Sequence, residues 1–191
     1  EMVQAMLTCE QTQGQSVFQH GTSVREYTLQ LINYLKGGTL EGWVLPEWLE
    51  INKEFILKNL HSENIIELYT QYHDCSKPYV LVTDAEGKRH FPNHAAVSGY
   101  IWGLFHDNKT VKKLIENDMV LHTASSEEVD LKLKEEWSLK DACTLLIVSL
   151  AEIHSNARMF GGVSSVSFKI KWKKLLQRGK KVLNCLSKTF D

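Results

Sequence analysis

Apolar residues recur three and four positions apart along most of the chain, which is the spacing of one face of an α-helix. The first clear case covers residues 22–35, where the apolar positions are Val24, Tyr27, Leu31, Ile32 and Leu35. The same pattern predicts further helices at 46–60, 62–73, 93–104, 110–121, 126–134 and 139–159. The helix at 139–159 is apolar on more than one face, so we expect it to be the central buried helix.

Strand signals are few. Residues 166–172 alternate between apolar and polar, but Phe168, Trp172 and Leu175 also fit a helix. We expect a helix there, because an isolated strand would have no partner. The other strand candidate is a small hairpin near residues 79–91. The chain is therefore predicted to be all-α, with residues 1–191 forming a single domain.

Composition and charge exclude several classes of protein. A chain of 191 residues with 43% hydrophobic residues can bury the core of one domain. A net charge of −1 is unlike a strongly cationic nucleic-acid coat or an acidic disordered tail. The longest apolar run, at 145–148, is too short to cross a bilayer, and we expect no membrane partner. The four cysteines form no C-x-x-C pair, which favours a reducing, cytoplasmic setting without a zinc ribbon.

The charge is unevenly distributed along the chain. Residues 158–191 contain nine basic residues and one acid, so this segment carries +8 and the remainder −9. A basic segment on an acidic body either recognises phosphates or forms a solvated helix face. We expect it to belong to the same domain as the rest of the chain.

Several histidines and acids fall where helices are predicted to begin, to end or to be buried. They are His20 ahead of the first helix, His73 and Asp74 at the end of the third, His94 at the start of the fourth, His122 at the end of the fifth, and Glu152 in the buried helix. Neutral imidazole and carboxylate are ligands of divalent transition metals, and ligands from separate helices can converge inside an all-α bundle.

The remaining histidines are expected to be structural, because a lone histidine near a helix end more often caps the helix or packs in the core. These are His61, His90, His106 and His154. Glu152 also has an alternative role, as a buried carboxylate paired with Arg158 or with a histidine, since burying it alone would be costly.

The His-Asp doublet carries a family resemblance. His20, followed by His73-Asp74 in the stretch Tyr-His-Asp-Cys-Ser-Lys-Pro, resembles the motif of the HD superfamily of metal-dependent phosphohydrolases. In that family the doublet is often followed by a small residue and a lysine, and Ser76-Lys77 fits that pattern.

The later motifs extend the resemblance. The stretch Phe-Pro-Asn-His-Ala around His94 resembles the family's next metal histidine, and His122 falls where binuclear members place another. The family usually completes its set with an aspartate in a late helix, commonly after alanine. This chain has Glu152 at that place, and Asp118 and Asp141 are competing candidates.

The resemblance implies an HD-domain-like helical bundle that binds one or two divalent transition metal ions (Mn, Co, Ni, Fe or Zn). His20, His73, Asp74 and Glu152 would hold one ion, and Asp74 could bridge to a second held by His94 and His122. Water bound to the metal would lose a proton and attack phosphorus. The residues implied to be catalytic are His73, Asp74 and Lys77, with Lys77 as a point charge on the substrate phosphate.

The basic segment offers a second set of phosphate contacts. Hydroxyls, backbone amides and lysines near a helix start can surround a phosphate, and the candidates here are Ser164, Ser165, Ser167, Lys169 and Lys171. Phe168 and Trp172 either stack a base or belong to the core. The stretches His-Ser-Asn-Ala…Phe-Gly-Gly and Ser-Phe-Lys-Ile-Lys-Trp are similar to HD modules associated with RNA end repair, which act on 2′,3′-cyclic phosphates and 2′-phosphates.

The function expected from these features is hydrolysis of phosphodiesters and phosphomonoesters at RNA 2′,3′-cyclic phosphate or 2′-phosphate ends. The substrate would be a nucleotide or an RNA end, and the chain would be fused to, or act with, other RNA-repair modules. Two alternatives remain: a hydrolase of free nucleotides (a 5′-nucleotidase or triphosphohydrolase), and a non-catalytic nucleotide-sensing module. Strong salt dependence of substrate affinity would favour the RNA end over the free nucleotide.

Overall fold

The computed structural model describes residues 1–159 and 161–187, and these form helices and two small antiparallel hairpins. The helices are α1 (Met2–Thr8), α2 (Val17–Leu35), α3 (Glu47–Ile51), α4 (Lys53–Lys58), α5 (Glu63–Tyr72), α6 (Lys77–Val80), α7 (His94–Phe105), α8 (Lys109–Glu116), α9 (Val120–Thr123), α10 (Ser126–Leu131), α11 (Leu139–Met159) and α12 (Val166–Ser187). The strands are β1 (Glu10–Thr12), β2 (Gln15–Ser16), β3 (Val82–Thr83) and β4 (Arg89–His90). The all-α prediction is confirmed.

Residue contacts divide the chain into two compact units. The first contains residues 1–25 and 63–118, and the second contains residues 26–62 and those from 119 onward. The expectation of a single domain over 1–191 stays a prediction. Phe160 and the four residues after Ser187, which belong to the sequence motifs and the basic segment, lie outside the described residues.

Each hairpin is closed by a short turn. β3 pairs with β4 in the register Val82↔His90, which confirms the hairpin predicted near 79–91. Its turn is fixed by Asp84, whose Oδ1 accepts hydrogen bonds from the backbone N–H groups of Glu86 at 3.0 Å and Lys88 at 2.8 Å. The β1–β2 hairpin was not anticipated, because strands of three and two residues are too short to show an alternating pattern.

The first unit is organised by the α7–α8 pair and by α5. Their buried apolar side chains form its core, and they include Ile66, Tyr69, Trp102, Leu114 and Ile115. Asn108 caps α8, since its side-chain oxygen accepts from the backbone N–H of Val111 at 3.1 Å. Gly99 lets α7 approach α8 closely, because a Cβ at that position would overlap the side chain of Glu116.

The second unit is built around α11. Every residue of α11 from Asp141 to Ser155 is buried, which confirms its prediction as the central buried helix. α12 packs against it with an apolar face and exposes lysines on the other side. The members of that buried face are Phe168, Trp172, Leu175, Val182 and Leu183. Residues 166–172 are therefore helical, as expected.

The structure breaks two of the predicted helices where asparagine side chains bond to the backbone. The helix predicted at 46–60 is interrupted at Asn52, whose Nδ2 donates to the carbonyl of Trp48 at 2.7 Å. The helix predicted at 110–121 ends at Asn117, whose Nδ2 donates to the carbonyl of Lys113 at 2.9 Å. Among the described residues, no helix is both long and apolar enough to cross a membrane.

Candidate functional site

His20 lies inside α2, not ahead of it as the sequence predicted. The helix begins at Val17 because Ser16 and Gln19 cap it reciprocally. The Ser16 hydroxyl accepts from the Gln19 N–H at 3.1 Å, and Gln19 Oε1 accepts from the Ser16 N–H at 2.8 Å. This is the Ser-x-x-Gln capping box, and it places the buried ring of His20 in the first turn of α2.

Gly21 lets α2 approach the end of α5 at very short range. A Cβ at Gly21 would overlap the backbone carbonyl oxygen of Gln71 and lie 3.0 Å from its carbonyl carbon. The amide of Gln71 strengthens the contact, since its Nε2 donates to the Phe18 carbonyl at 3.1 Å and its Oε1 accepts from the Thr22 hydroxyl at 3.2 Å. The close approach brings His20 near the turn that follows α5.

The turn after α5 carries His73 and Asp74 and is tied to α7 by two buried serines. Ser76 donates its hydroxyl to the His94 carbonyl at 2.8 Å, and its N–H donates to the Ser98 hydroxyl at 3.1 Å. The Ser98 hydroxyl in turn donates to that of Ser76 at 3.0 Å. These bonds bring the start of α7, and with it His94, to the doublet.

Asp74 is the centre of the site in the first unit. His20 Nε2 lies 3.5 Å and His73 Nε2 lies 3.2 Å from Asp74 Oδ2. His94 Nε2 lies 3.5 Å from the other carboxylate oxygen, Oδ1. We call the set His20, His73, Asp74, Lys77 and His94 the Asp74 cluster.

Two of the imidazoles are oriented by backbone carbonyls. The Nδ1 atom of His73 lies 2.7 Å from the carbonyl oxygen of Thr70, and that of His94 lies 2.9 Å from the carbonyl oxygen of Phe91. Each Nδ1 therefore carries a hydrogen, and each Nε2 atom faces Asp74. The same arrangement orients metal-binding histidines in other proteins.

Lys77 also belongs to the cluster. Its Nζ lies 2.6 Å from Asp74 Oδ2 and 5.2 Å from the centre of the Phe91 ring, and the side chain is buried. Burial by itself would raise the pKa of Asp74, but the charges of His73 and Lys77 outweigh it and hold the pKa well below its usual range. The carboxylate is therefore ionised in a buried environment.

The Asp74 cluster fits a divalent transition metal by its donor chemistry. Ligand atoms about 2.0–2.2 Å from one tetrahedral ion lie about 3.3–3.6 Å from each other. The imidazole–carboxylate separations of 3.2 to 3.5 Å are close to this range. Three imidazoles and one carboxylate suit zinc, iron, cobalt, nickel or manganese better than calcium.

In the second unit, the other two predicted ligands form a pair. His122 Nε2 lies 3.0 Å from Glu152 Oε2, so Glu152 pairs with a histidine and not with Arg158. Arg178 holds the end of α9 through its guanidinium, which donates to the carbonyls of Ala124 at 2.8 Å and His122 at 2.8 Å. The backbone of His122 is thereby fixed.

A cavity of about 300 Å³ lies beside this pair. Its lining includes His122, Glu152, Asn156 and Lys171. Lys171 is exposed, and among the described residues it has no carboxylate within ion-pair distance. The cavity therefore combines a buried acid, an imidazole and a cation within one unit.

The predicted phosphate contacts of the C-terminal segment are only partly together. Ser165, Ser167 and Lys171 line one small recess, whereas Ser164 and Lys169 are exposed and are not among the described residues that line it. Phe168 and Trp172 are 4% and 9% exposed and pack against His154, so they belong to the core and do not stack a base.

The competing acids have other partners. Asp118 accepts a hydrogen bond from the Tyr69 hydroxyl at 2.6 Å. Asp141 lies 2.8 Å from His61 and accepts from the N–H of Ser138 at 2.9 Å at the start of α11. Each acid therefore has structural bonds within its own unit, and the role of either as a metal ligand stays a prediction.

The histidines expected to be structural have such roles. His61 bonds Asp141, His90 bonds Asp84 at 2.7 Å on the surface, and His106 stacks on Trp102 at 4.0 Å. His154 donates its Nδ1 hydrogen to the Leu150 carbonyl at 2.7 Å and accepts at Nε2 from the Val44 N–H at 3.2 Å. Burial lowers its pKa.

Sequence reasoning missed the residues that support the cluster. Thr70 and Ser98 bond to the doublet or its turn and Gln71 bonds to α2, but polar side chains and backbone carbonyls of this kind leave no pattern in the sequence. The capping box at Ser16 and Gln19 was readable and would have placed His20 in the helix.

No family model, curated protein or solved structure matches this chain. The side chains just described are therefore what bears on its function.

Proposed function

We propose that this chain is a divalent-metal-dependent phosphohydrolase of the HD type, acting on RNA 2′,3′-cyclic phosphate or 2′-phosphate ends. The observation that carries the proposal is the convergence of His20, His73 and His94 on the buried carboxylate of Asp74. Lys77 compensates the charge of this buried acid, and the three imidazoles that face it add the nitrogen donors of a transition-metal site, which supports metal binding.

The residues of the Asp74 cluster have distinct roles in this proposal. His73 and His94 bind through Nε2, because Thr70 and Phe91 hold the Nδ1 hydrogens. Asp74 offers one oxygen toward His20 and His73 and the other toward His94, which suits a carboxylate shared by one or two ions. A bound divalent ion supplies Lewis acidity, which lowers the pKa of water and neutralises charge on phosphoryl oxygens.

Lys77 has two roles that depend on what occupies the cluster. Without an ion its ammonium compensates the charge of Asp74 directly. With an ion present, repulsion between the two cations would weaken this contact and favour a phosphate oxygen as the partner of Lys77.

The second unit has a candidate phosphate contact of its own. Lys171 lines the same cavity as His122 and Glu152, and we propose that its ammonium binds a phosphate there. The roles of His122 and Glu152 as metal ligands stay predictions. Lys169, Lys173 and Lys180 share one exposed side of α12 and would add salt-dependent attraction for a polynucleotide.

The proposal is tested by turnover of bis-p-nitrophenyl phosphate and a 2′,3′-cyclic nucleotide across Mn, Co, Ni and Zn. His73→Ala and Asp74→Ala should abolish metal-dependent hydrolysis, a larger loss than the roughly 10–100-fold typical of outer-shell partners. The helical circular dichroism signal should stay intact. His90→Ala is the matched control, since that histidine is exposed and pairs only with Asp84 among the described residues. Retained activity in either cluster variant would refute the metal assignment.

The RNA-end substrate is separated from a free nucleotide by salt. If lysines of α12 hold a polynucleotide, affinity should fall by more than tenfold between 50 and 200 mM salt for several phosphate contacts, as expected from about one released counterion per contact. Lys173→Ala should reduce the slope, whereas Lys53→Ala, outside α12, should leave it unchanged. A flat salt profile would favour hydrolysis of free nucleotides.

One observation also supports a non-catalytic nucleotide-sensing module. The short contact between Lys77 Nζ and Asp74 Oδ2 gives the buried carboxylate a cation from the chain itself. In such a module, Lys77→Met would strongly destabilise the fold, and added metal would not restore its stability. In the hydrolase, added metal would restore the stability of Lys77→Met, because the bound ion would compensate Asp74.

A further inference from the structure

A cavity of about 210 Å³ in the second unit is lined by two aromatic rings and two opposite charges. Its rings belong to Tyr27 and Trp43, whose centres lie 5.3 Å apart, and both side chains are half-buried. Its charges belong to Glu41 and Arg158, both exposed. This volume is of the size needed to take in a nucleobase with part of its sugar.

The aromatic wall is held in place before any ligand arrives. The Trp43 ring stacks on His154 at 4.3 Å between centres and 20° between planes. His154 is fixed in turn by its bonds to the Leu150 carbonyl and the Val44 N–H. A buried histidine of α11 therefore anchors the loop that presents Trp43, and little ordering is left for binding to accomplish.

Gly42 and Gly162 form backbone turns at the wall of the cavity. Both have left-handed backbones, with φ of 76° and 81°, and a Cβ at either position would meet no atom within 4 Å. The glycines thus serve the backbone turns, and space remains beside them.

The two charges restrict what the cavity can bind. Among the described residues, neither Glu41 nor Arg158 has an ion-pair partner within 4.0 Å. An organic ammonium would suit Tyr27, Trp43 and Glu41 but would be repelled by Arg158. A simple anion would suit Arg158 but would be repelled by Glu41. A ligand that fits both has a neutral flat ring with N–H donors and a separate phosphate.

We propose that this cavity binds a guanine nucleotide. The ring would pack against Tyr27 and Trp43, and the adjacent N1–H and N2–H donors of guanine would face the Glu41 carboxylate. The phosphate would face the Arg158 guanidinium. Adenine has no pair of adjacent N–H donors on its Watson–Crick edge, so one carboxylate oxygen of Glu41 would be left without a hydrogen bond to the base. The site needs no metal, so it is independent of the proposed hydrolase activity.

The test is titration of the full chain with GMP, AMP and guanosine in EDTA, followed by calorimetry and by the indole N–H resonances of the five tryptophans. GMP should shift the Trp43 resonance, assigned by its loss in Trp43→Phe, and should bind about tenfold more tightly than AMP. Tetramethylammonium should not shift it. Unshifted Trp43 with GMP, or a stronger response to tetramethylammonium, would overturn the proposal.

Single substitutions separate the contacts. Glu41→Gln should weaken GMP about tenfold and leave AMP unchanged, and Arg158→Gln should weaken GMP about tenfold and leave guanosine unchanged. Tyr27→Ala should weaken all three ligands, whereas Tyr79→Ala, an exposed tyrosine of the other unit, should have no effect. Equal GMP affinity in the wild type and in Glu41→Gln would contradict the assignment of guanine. EDTA removes divalent ions, and the proposed contacts need none. These binding results therefore do not depend on whether the chain is a metal-dependent hydrolase.

Discussion

Gly21→Ala is the sharpest test of how the helices assemble the Asp74 cluster. Gly21 is adjacent to His20 on α2, and Gln71 lies two residues before His73 at the end of α5. The new Cβ would overlap the backbone carbonyl oxygen of Gln71 and lie 3.0 Å from its carbonyl carbon. Backbone cannot rotate away as a side chain can, so the two helices must separate.

The size of the effect follows from contact distances. Carbon atoms pack best about 3.5–4.0 Å apart, so relief of the 3.0 Å contact requires a shift of about 0.5–1 Å. That shift would lengthen the 3.5 Å separation of His20 from Asp74 by a similar amount. A 1 Å misplacement can cost about 100-fold in function, and we expect metal affinity to fall about 10–100-fold.

Stability should change far less than metal affinity. Overpacking costs about 1–3 kcal/mol. Replacing a helical glycine by alanine returns about 1 kcal/mol. The net loss of about 0–2 kcal/mol would lower Tm by at most about 8 °C for a chain of this size.

The assay is a cobalt titration followed by visible absorption, together with thermal unfolding. Gly103→Ala is the matched control, since its Cβ would meet only the flexible end of Lys112, at 3.2 Å and 3.4 Å. The control should bind cobalt normally and be slightly more stable. Unchanged cobalt affinity in Gly21→Ala would refute the argument that this close approach sets the geometry of the cluster.

Three further predictions concern stability and reactivity. Burial lowers the pKa of His154, so below about pH 6.5 the unfolded chain binds a proton that the folded chain does not. The free energy of unfolding should therefore fall with acid, by up to about 1.4 kcal/mol per pH unit. Urea titrations at pH 5–7 should show that slope in the wild type and not in His154→Gln. All four cysteines are free, and burial raises the pKa of Cys75 and Cys143 to about 12. Both thiols should therefore resist a thiol reagent at pH 7.5 until the chain is unfolded. Rapid reaction of either one in the folded chain would contradict its burial. Arg178→Met should lower the free energy of unfolding by about 2–3 kcal/mol, because backbone carbonyls at the end of α9 lose a charged donor. Chemical unfolding measures this, and a decrease below about 0.5 kcal/mol would refute the role of Arg178.

The helical periodicity was sufficient to predict the fold class and the central helix. The apolar residues of α11 and α12 recur at helical spacing, and burial of those faces is what stabilises the second unit. The breaks at Asn52 and Asn117 were not predicted, because an asparagine inside a helical pattern is common and only its side-chain bond to the backbone ends the helix.

The site was predicted in part because ligand chemistry restricts residue type. His20, His73, Asp74 and His94 were chosen as metal-binding types at helix ends, and the structure brings them together in the first unit. The sequence could not predict the approach at Gly21 or the Ser76–Ser98 bonds, since these depend on tertiary contacts between distant segments. Ser164, Ser165 and Lys169 are close in sequence, but Ser164 lies before α12 and Lys169 lies on its exposed side, and neither lines the recess of Ser165, Ser167 and Lys171.

The most direct test of the central claim is anaerobic elemental analysis of the purified chain, with reconstitution by Mn, Fe, Co, Ni and Zn. The account predicts one or two ions per chain in the wild type and their loss in Asp74→Asn, which keeps the shape of the side chain but removes the charge that the imidazoles face. A wild type that binds none of the five metals, or an Asp74→Asn variant that binds them equally well, would contradict it.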